Sequence, residues 1–171
     1  MSAHDSELNG VDDFRIRRMT KEDLAEVMAI ENSCFQSPWS ENAFTRELTE
    51  NFLATYLVME HLWEGGRCIF AYGGYWFIKS DIHITNIAVA PDYQGIGAGR
   101  MMMNALLEHA RHQGAERVTL EVRQSNEPAK TLYRTMGFKI LGVRPNYYQD
   151  NNEDAVIMYK VISDKGKAGD S

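Results

Sequence analysis

The sequence predicts one α/β domain built on a mixed sheet of about seven strands, with helices on both faces. Two observations predict it. Segments of alternating apolar residues and segments of helical apolar spacing follow each other in the order β-α-α-β-β-β-α-β-α-β-β. A glycine-rich turn, "PDYQGIGAGR", joins a strand pattern directly to a helix pattern. The chain has 171 residues, 44% of them hydrophobic, which suits a single domain with a real core.

The first strand is "FRIRRM", Phe14 to Met19. Thr20 opens the next segment and, with Asp23 three residues on, forms a capping-box pattern that uses Asp in place of Glu. Leu24, Val27, Met28 and Glu31 then fall at helical spacing, and Pro38 interrupts this first helix. Ser40 caps a second, short helix, with Trp39 and Phe44 at the two positions of a hydrophobic staple. "FLATYLVME" and "RCIFAYGGYWFI" read as a hairpin around "WEGG". Gly73 and Gly74 inside its second strand mark a bulge or a close backbone approach. "DIHITNIAVA" is the fourth strand.

The helix after the glycine turn carries Met102, Met103, Leu106, Leu107 and Ala110 on one face. Its methionine triplet reads as core packing. "RVTLEV" is a fifth strand. In "SNEPAKTLYRTMGF", Ser125 or Asn126 caps a helix, Pro128 sits in the first turn and Gly137 ends it. "FKILGV" and "AVIMYKVI" close the sheet. The polar ends, 1–12 and 163–171, read as disordered tails around a domain spanning 13–162.

A net charge of −6 argues against a nucleic-acid binder, which needs a basic patch, and allows steering of a basic peptide. No run approaches the ~18 apolar residues of a membrane span. The first thirteen residues lack the regions of a signal peptide. Cys34 and Cys68 are too few for a disulfide framework, suit a reducing cytoplasm, and read as small buried apolar residues. The five histidines are scattered, His109 and His112 on a solvent-facing helix side, and no metal is expected.

The glycines of the turn are Gly95, Gly97 and Gly99. A dinucleotide fingerprint would need a further glycine where Arg100 or Met102 stands, and no Gly-Lys-Ser/Thr follows to make a P-loop. What remains is a backbone cradle for a phosphate. Its N–H groups turn toward one point, and the helix N-terminus adds about half a positive charge. A plain strand-to-helix turn that needs glycine is the alternative.

Gln94-x-x-Gly97-x-Gly99 resembles the acetyl-CoA signature of the GNAT acetyltransferases. "LEVRQSNEPAKTLYRTMGF" resembles the second half of that family's core. "RPNYYQDNNEDAVIMYK" and the upstream "SCFQSPWSENAF" are similar to the type that acetylates the N-terminal alanine of ribosomal proteins. The resemblance runs from Phe14 to Val161. It implies a single GNAT domain whose sheet splays between strands 4 and 5, with acetyl-CoA bound there. Carried over by position, the backbone of Ile87, Ala88 and Val89 meets the acetyl and pantetheine arm. Gln94, Gly95, Ile96, Gly97, Ala98, Gly99 and Arg100 hold the pyrophosphate, and Asn126 reaches the cofactor. Glu121 is the implied general base and Tyr133 the general acid. Many relatives carry a long polar residue just after the Gln. Gly95-Ile96 here removes that contact and leaves the backbone cradle.

The chemistry asks for these residue types. An α-amine has a pKa near ~8, so at neutral pH much of it needs a base before it can attack. Glu121 ends an apolar strand, where partial burial favours a raised pKa, and its alternative is a surface carboxylate paired with Arg123. The leaving thiolate needs a proton, and a tyrosine with pKa near ~10 keeps one to give. Phe35, Pro38 and Trp39 on one loop, with Arg144, Asn146, Tyr147 and Tyr148 on another, form walls for a peptide N-terminus. The expected partner is the N-terminus of a basic ribosomal protein, with direct transfer and no covalent enzyme intermediate. Transfer to lysines or small amines, and a silent acyl-CoA-binding module, stay open as alternatives.

Overall fold

The structure is a computed structural model that describes residues 13–163. The expected tails therefore fall, Ser163 apart, outside the described residues. Seven strands form one sheet: β1 (Asp13–Arg18), β2 (Ala54–Trp63), β3 (Gly66–Ile78), β4 (Asp81–Val89), β5 (Arg117–Arg123), β6 (Lys139–Tyr148) and β7 (Glu153–Val161). Their order is β1-β2-β3-β4-β5-β7-β6. β4 and β5 pair in parallel, and every other neighbour pair is antiparallel.

Four helices cover the two faces: α1 (Leu24–Cys34), α2 (Glu41–Thr49), α3 (Ala98–His112) and α4 (Glu127–Thr135). α1 and α2 bury Leu24, Val27, Ile30 and Phe44 against Tyr56, Val58 and Tyr72. α3 buries Met102, Met103, Leu106 and Leu107 against Phe70, Ile82, Val118 and Leu120, so two methionines of the triplet are core while Met101 is 38% exposed. The staple forms, with the Trp39 and Phe44 rings 5.3 Å apart, and the Ser40 side chain accepts the Ala43 N–H. Thr20 donates its backbone N–H to Asp23, although the first turn, Lys21–Asp23, is 3-10 and the α-helix begins at Leu24.

Gly73 and Gly74 serve close approach on both faces of β3. A Cβ on Gly73 would lie 2.7 Å from a Leu106 methyl of α3, and one on Gly74 would enter the Tyr56 ring. The bulge is on the neighbouring strand. Gly74 pairs with Asn86 and Tyr75 with Ile84, which leaves Thr85 of β4 as the extra residue. Before it, Ile82 and Ile84 face the α3 core; after it, Ala88 faces the α1 core. The bulge thus re-aims the end of β4.

Pairing between β4 and β5 covers only Asp81 to His83 against Arg117 to Thr119. Beyond that rung the strands part. The backbone groups of the parting edges have no ladder there, and such groups must find other partners.

Several expectations need correction. α1 ends at Cys34, before Pro38, because Phe35 is already extended and Glu31 turns back to take the Trp39 N–H. β6 runs on to Tyr148, so Arg144, Asn146, Tyr147 and Tyr148 lie on a strand and not on a loop. β6 is the sheet edge, where Pro145 is tolerated and the ladder breaks between Arg144 and Tyr148. Cys34 and Cys68 are half-buried, each with its thiol in a polar contact. His109 packs inward, its Nδ1 2.7 Å from the Tyr75 hydroxyl.

Candidate active site

A cavity of about 410 Å³ opens where β4 and β5 part. That lies within the usual range for small-ligand sites, roughly 300–1,000 Å³. Its walls include Ile87, Ala88 and Val89 from β4, Gln94, Gly95, Gly97, Ala98, Gly99 and Arg100 from the glycine turn, and Asn126 and Tyr133 from α4. Ile96 is not on the wall, and its side chain is 59% exposed. Cys34, Phe35, Pro128, Ala129 and Leu132 complete the cavity and were not foreseen as its cofactor wall.

The glycine turn presents open backbone at the start of a helix. Gly97 caps α3 with a φ of 85°, a left-handed value that other residues rarely adopt. A Cβ there would meet no atom within 4 Å, so the backbone faces open space. The first turn of α3 carries no acidic side chain, which leaves the positive end of the helix uncompensated. Two side chains brace the turn. Gln94 donates to the Val89 carbonyl at 3.0 Å, and Arg100 donates to Thr135 of α4 at 2.7 Å. The Cys34 thiol also reaches the Val89 carbonyl, at 3.3 Å. That carbonyl is therefore already engaged, which narrows the expected backbone contacts of β4.

Asn126 is the cap of α4; its side chain accepts the Ala129 N–H at 3.2 Å. About two helical turns further, Tyr133 is 7% exposed, with its ring 5.6 Å from Phe138. Burial pushes its phenol up to about 12, so it is protonated throughout the neutral range.

Glu121 stands on the opposite face of β5. Val118, Leu120 and Val122 point into the α3 core, so Thr119, Glu121 and Arg123 point the other way. The Glu121 side chain is 15% exposed, and its Oε2 lies 2.9 Å from Nε2 of His83. Arg123 does not pair with it, being taken by Asp150 and Glu153 at 2.7 and 3.4 Å.

The aromatic residues of β6 close on this face. The Tyr147 and Tyr148 rings meet edge-on at 5.1 Å, and the Arg123 guanidinium sits 3.9 Å over Tyr148. Burial raises the phenol of Tyr148 to about 12 and that of Tyr147 upward, with the Glu121 charge adding to both. Asn146 donates its N–H to Asp154 at 2.9 Å, and Arg144 lies 5.8 Å from the Tyr147 ring. On the far loop, Phe35 lines the cavity and Trp39 packs on Phe44. Pro38 is an exposed residue of the same loop. Glu31 holds this loop from below: it is 1% exposed, accepts the Trp39 N–H at 3.0 Å, and accepts a hydrogen bond from the Tyr72 hydroxyl on its other oxygen.

Sequence reasoning missed His83 and Asn86. His83 carried no local signal, because its partner is set by the register of two strands far apart in the chain. Asn86 is 8% exposed beside the bulge, and among the described residues no donor reaches its Oδ1. Among the described residues no three His, Cys, Asp or Glu side chains gather as a metal ion would need.

The acetyltransferase (GNAT) family profile matches residues 24–138, two thirds of the chain. The chain belongs to this family. It is an acyltransferase by that membership. A Bacillus subtilis (strain 168) relative assigned as a ribosomal protein bS18-alanine N-acetyltransferase is 43% identical over 152 residues, 87% of this chain and 96% of that protein. The ribosomal protein bS18-alanine N-acetyltransferase of Escherichia coli (strain K12) is 36% identical over 143 residues, 82% and 93% of the two chains. The crystal structure of the ribosomal-protein-S18-alanine N-acetyltransferase from Escherichia coli superposes with a TM-score of 0.78 at 32% identity, covering 88% of this chain and 95% of that one. A NatC complex bound to Gag peptide and CoA shares the fold, with a TM-score of 0.76 at 17% identity over 87% and 98%. Among the described residues, no helix is long and apolar enough to cross a membrane.

Proposed function

We propose that this GNAT enzyme transfers the acetyl group of acetyl-CoA to the N-terminal α-amine of a ribosomal protein that begins with alanine. The observation that carries the reading is the position of Glu121 and Tyr133 on opposite sides of one parting sheet. Tyr133 lines the cavity that carries the phosphate cradle, and Glu121 faces the aromatic acceptor side. The relatives' named activity supports the same substrate class.

The residues present fit acetyl-CoA. The open backbone at Gly97 and the uncompensated α3 N-terminus suit the pyrophosphate, and the apolar walls from Ile87, Ala129 and Leu132 suit the pantetheine arm. When bound, acetyl-CoA supplies the thioester carbonyl. Glu121 takes a proton from the ammonium form of the substrate, which frees the nitrogen lone pair. The new N–C bond forms as the C–S bond breaks, the nitrogen gives its second proton to water, and the phenolic proton of Tyr133 goes to the departing sulfur. Solvent then restores the proton of Tyr133 and removes the one on Glu121. Phe35, Trp39, Tyr147 and Tyr148 grip the first residues of the peptide. Asp150 on the β6–β7 turn and Glu153 and Asp154 at the start of β7 set three carboxylates against the one guanidinium of Arg123, a negative surface that suits a basic chain.

The test is acetyl transfer to peptides that differ in their first residue, with an amino-blocked peptide carrying an internal lysine as control. The alanine α-amine is expected to react fastest and the blocked peptide not at all. Equal reaction at the lysine would assign the enzyme to side-chain amines, and no transfer to any peptide would make the chain a binding module.

A further inference from the structure

We infer that His83 positions the Glu121 carboxylate for the incoming amine and makes its readiness to accept a proton depend on pH. The inference rests on the reading of Glu121 as the base. His83 lies on the last rung of the β4–β5 ladder, opposite Thr119, where the two strands part. Its Nε2 is 2.9 Å from Glu121 Oε2 and its Nδ1 is 3.2 Å from Thr119 Oγ1. The imidazole is thus held at both nitrogens. The Trp76 ring lies alongside at 6.5 Å, itself fixed by its indole N–H to Glu47 of α2 at 2.8 Å.

The hydrogen bonds define two states. In the neutral ring, the Thr119 hydroxyl donates to Nδ1 and Nε2–H donates to Oε2. One carboxylate oxygen is pinned, and the other remains for the amine. In the protonated ring, a full positive charge faces the carboxylate, and an opposite charge this near makes a carboxylate a weaker proton acceptor. The His83 side chain is 30% exposed, so it exchanges protons with solvent.

The other charged groups around the ring are already engaged. Asp81, two residues earlier on the same face, pairs with Arg117 at 3.1 Å. Glu47 of α2 accepts from Trp76 and Tyr56. From the β6 side, Tyr147 and Tyr148 feel the Glu121 charge and keep their own protons. Glu121 is the one carboxylate in bonding contact with His83 among the described residues.

The test compares His83→Ala, His83→Gln and Glu121→Gln with the parent enzyme at saturating acetyl-CoA, across pH ~5.5 to ~9. His83→Ala is expected to lower kcat roughly tenfold or more, the scale of a misplaced catalytic group, with KM for acetyl-CoA unchanged. His83→Gln keeps an N–H donor without the charge and is expected to recover most of the rate above neutrality. The amine's own ionisation cancels in the ratio of His83→Gln to parent kcat, so that ratio should rise several-fold as pH is lowered toward ~5.5. A flat ratio, or His83→Ala at the parent rate, overturns the inference. A mere brace between the strands would lower the melting temperature and leave the ratio flat. If Glu121→Gln is slow while His83→Ala is unimpaired, the base assignment stands and the inference about His83 falls. If Glu121→Gln matches the parent, the base assignment itself fails.

Discussion

The two walls of the cleft are made in different ways. The donor wall comes mostly from two short runs, 87–100 and 126–133, joined by Cys34 and Phe35. The acceptor side draws on residues 83, 121 and 144–148, brought together by the pairing of β4 with β5, β5 with β7 and β7 with β6, and on residues 31–39 of α1 and its following loop. A wall that holds phosphate needs backbone N–H groups at a helix start, and local glycines supply that. A wall that holds a peptide and a base needs side chains from separate strands, and register supplies that.

Two carboxylates sharpen the contrast. Glu31 and Glu121 both face the acceptor side. Glu31 has both oxygens spent, one on the Trp39 N–H and one on the Tyr72 hydroxyl, so it serves the loop and not a ligand. Glu121 has one oxygen in contact with His83 and stands where the strands part. Burial alone therefore does not mark the base; the unspent oxygen does.

The largest effect belongs to the donor side. Tyr133→Phe removes one hydroxyl and should lower kcat by roughly 10²–10⁴, with the acetyl-CoA-induced melting shift intact. Near-normal turnover would make Tyr133 a packing residue. Next comes the cradle. Acetyl-CoA at about 100 times its Kd adds about 2.7 kcal/mol, or several degrees of melting temperature in a domain of this size. Gly97→Asp places a charge and a strained backbone in that cradle and should abolish the shift. A full shift in this variant would put the pyrophosphate elsewhere.

The smallest effect concerns Glu31. Burial pushes its carboxyl above the ordinary value of 4.5, so the folded state prefers it protonated. Stability from that preference is fully present below the unfolded value and is lost as pH rises through the folded one. Glu31→Gln has no such proton to lose. Urea unfolding of both proteins from pH ~4 to ~8 should show the variant gaining on the parent as pH rises. A constant difference would mean that Glu31 binds its proton equally well folded and unfolded.

The same division explains what was legible in the sequence. The staple at Trp39 and Phe44, the glycine turn, the Asn126 cap and the strand order in outline follow from spacing within a few residues. The extent of β6 did not, because Pro145 and Asn146 read locally as a turn, while pairing with β7 carries the strand past them. Glu121 was nameable by resemblance, and the alternative weighed against that role, a pair with Arg123 two residues away on the same strand, does not form. His83 is 38 positions before Glu121 and reaches it because β4 and β5 share three rungs. Of the two readings of Gly73 and Gly74, close approach holds, against Leu106 and Tyr56, while the bulge at Thr85 opposite them carried no signal of its own.

The account's central claim is that Glu121, on the face away from the cradle, takes the amine's proton. Its most direct test is Glu121→Gln, measured for acetyl-CoA binding and for transfer to an alanine-starting peptide as pH is raised. Binding should match the parent while transfer at neutral pH falls by ~10²-fold or more. Part of the lost rate should return above pH ~8, where the amine sheds its own proton. A variant that binds and transfers like the parent across the whole range would contradict the claim.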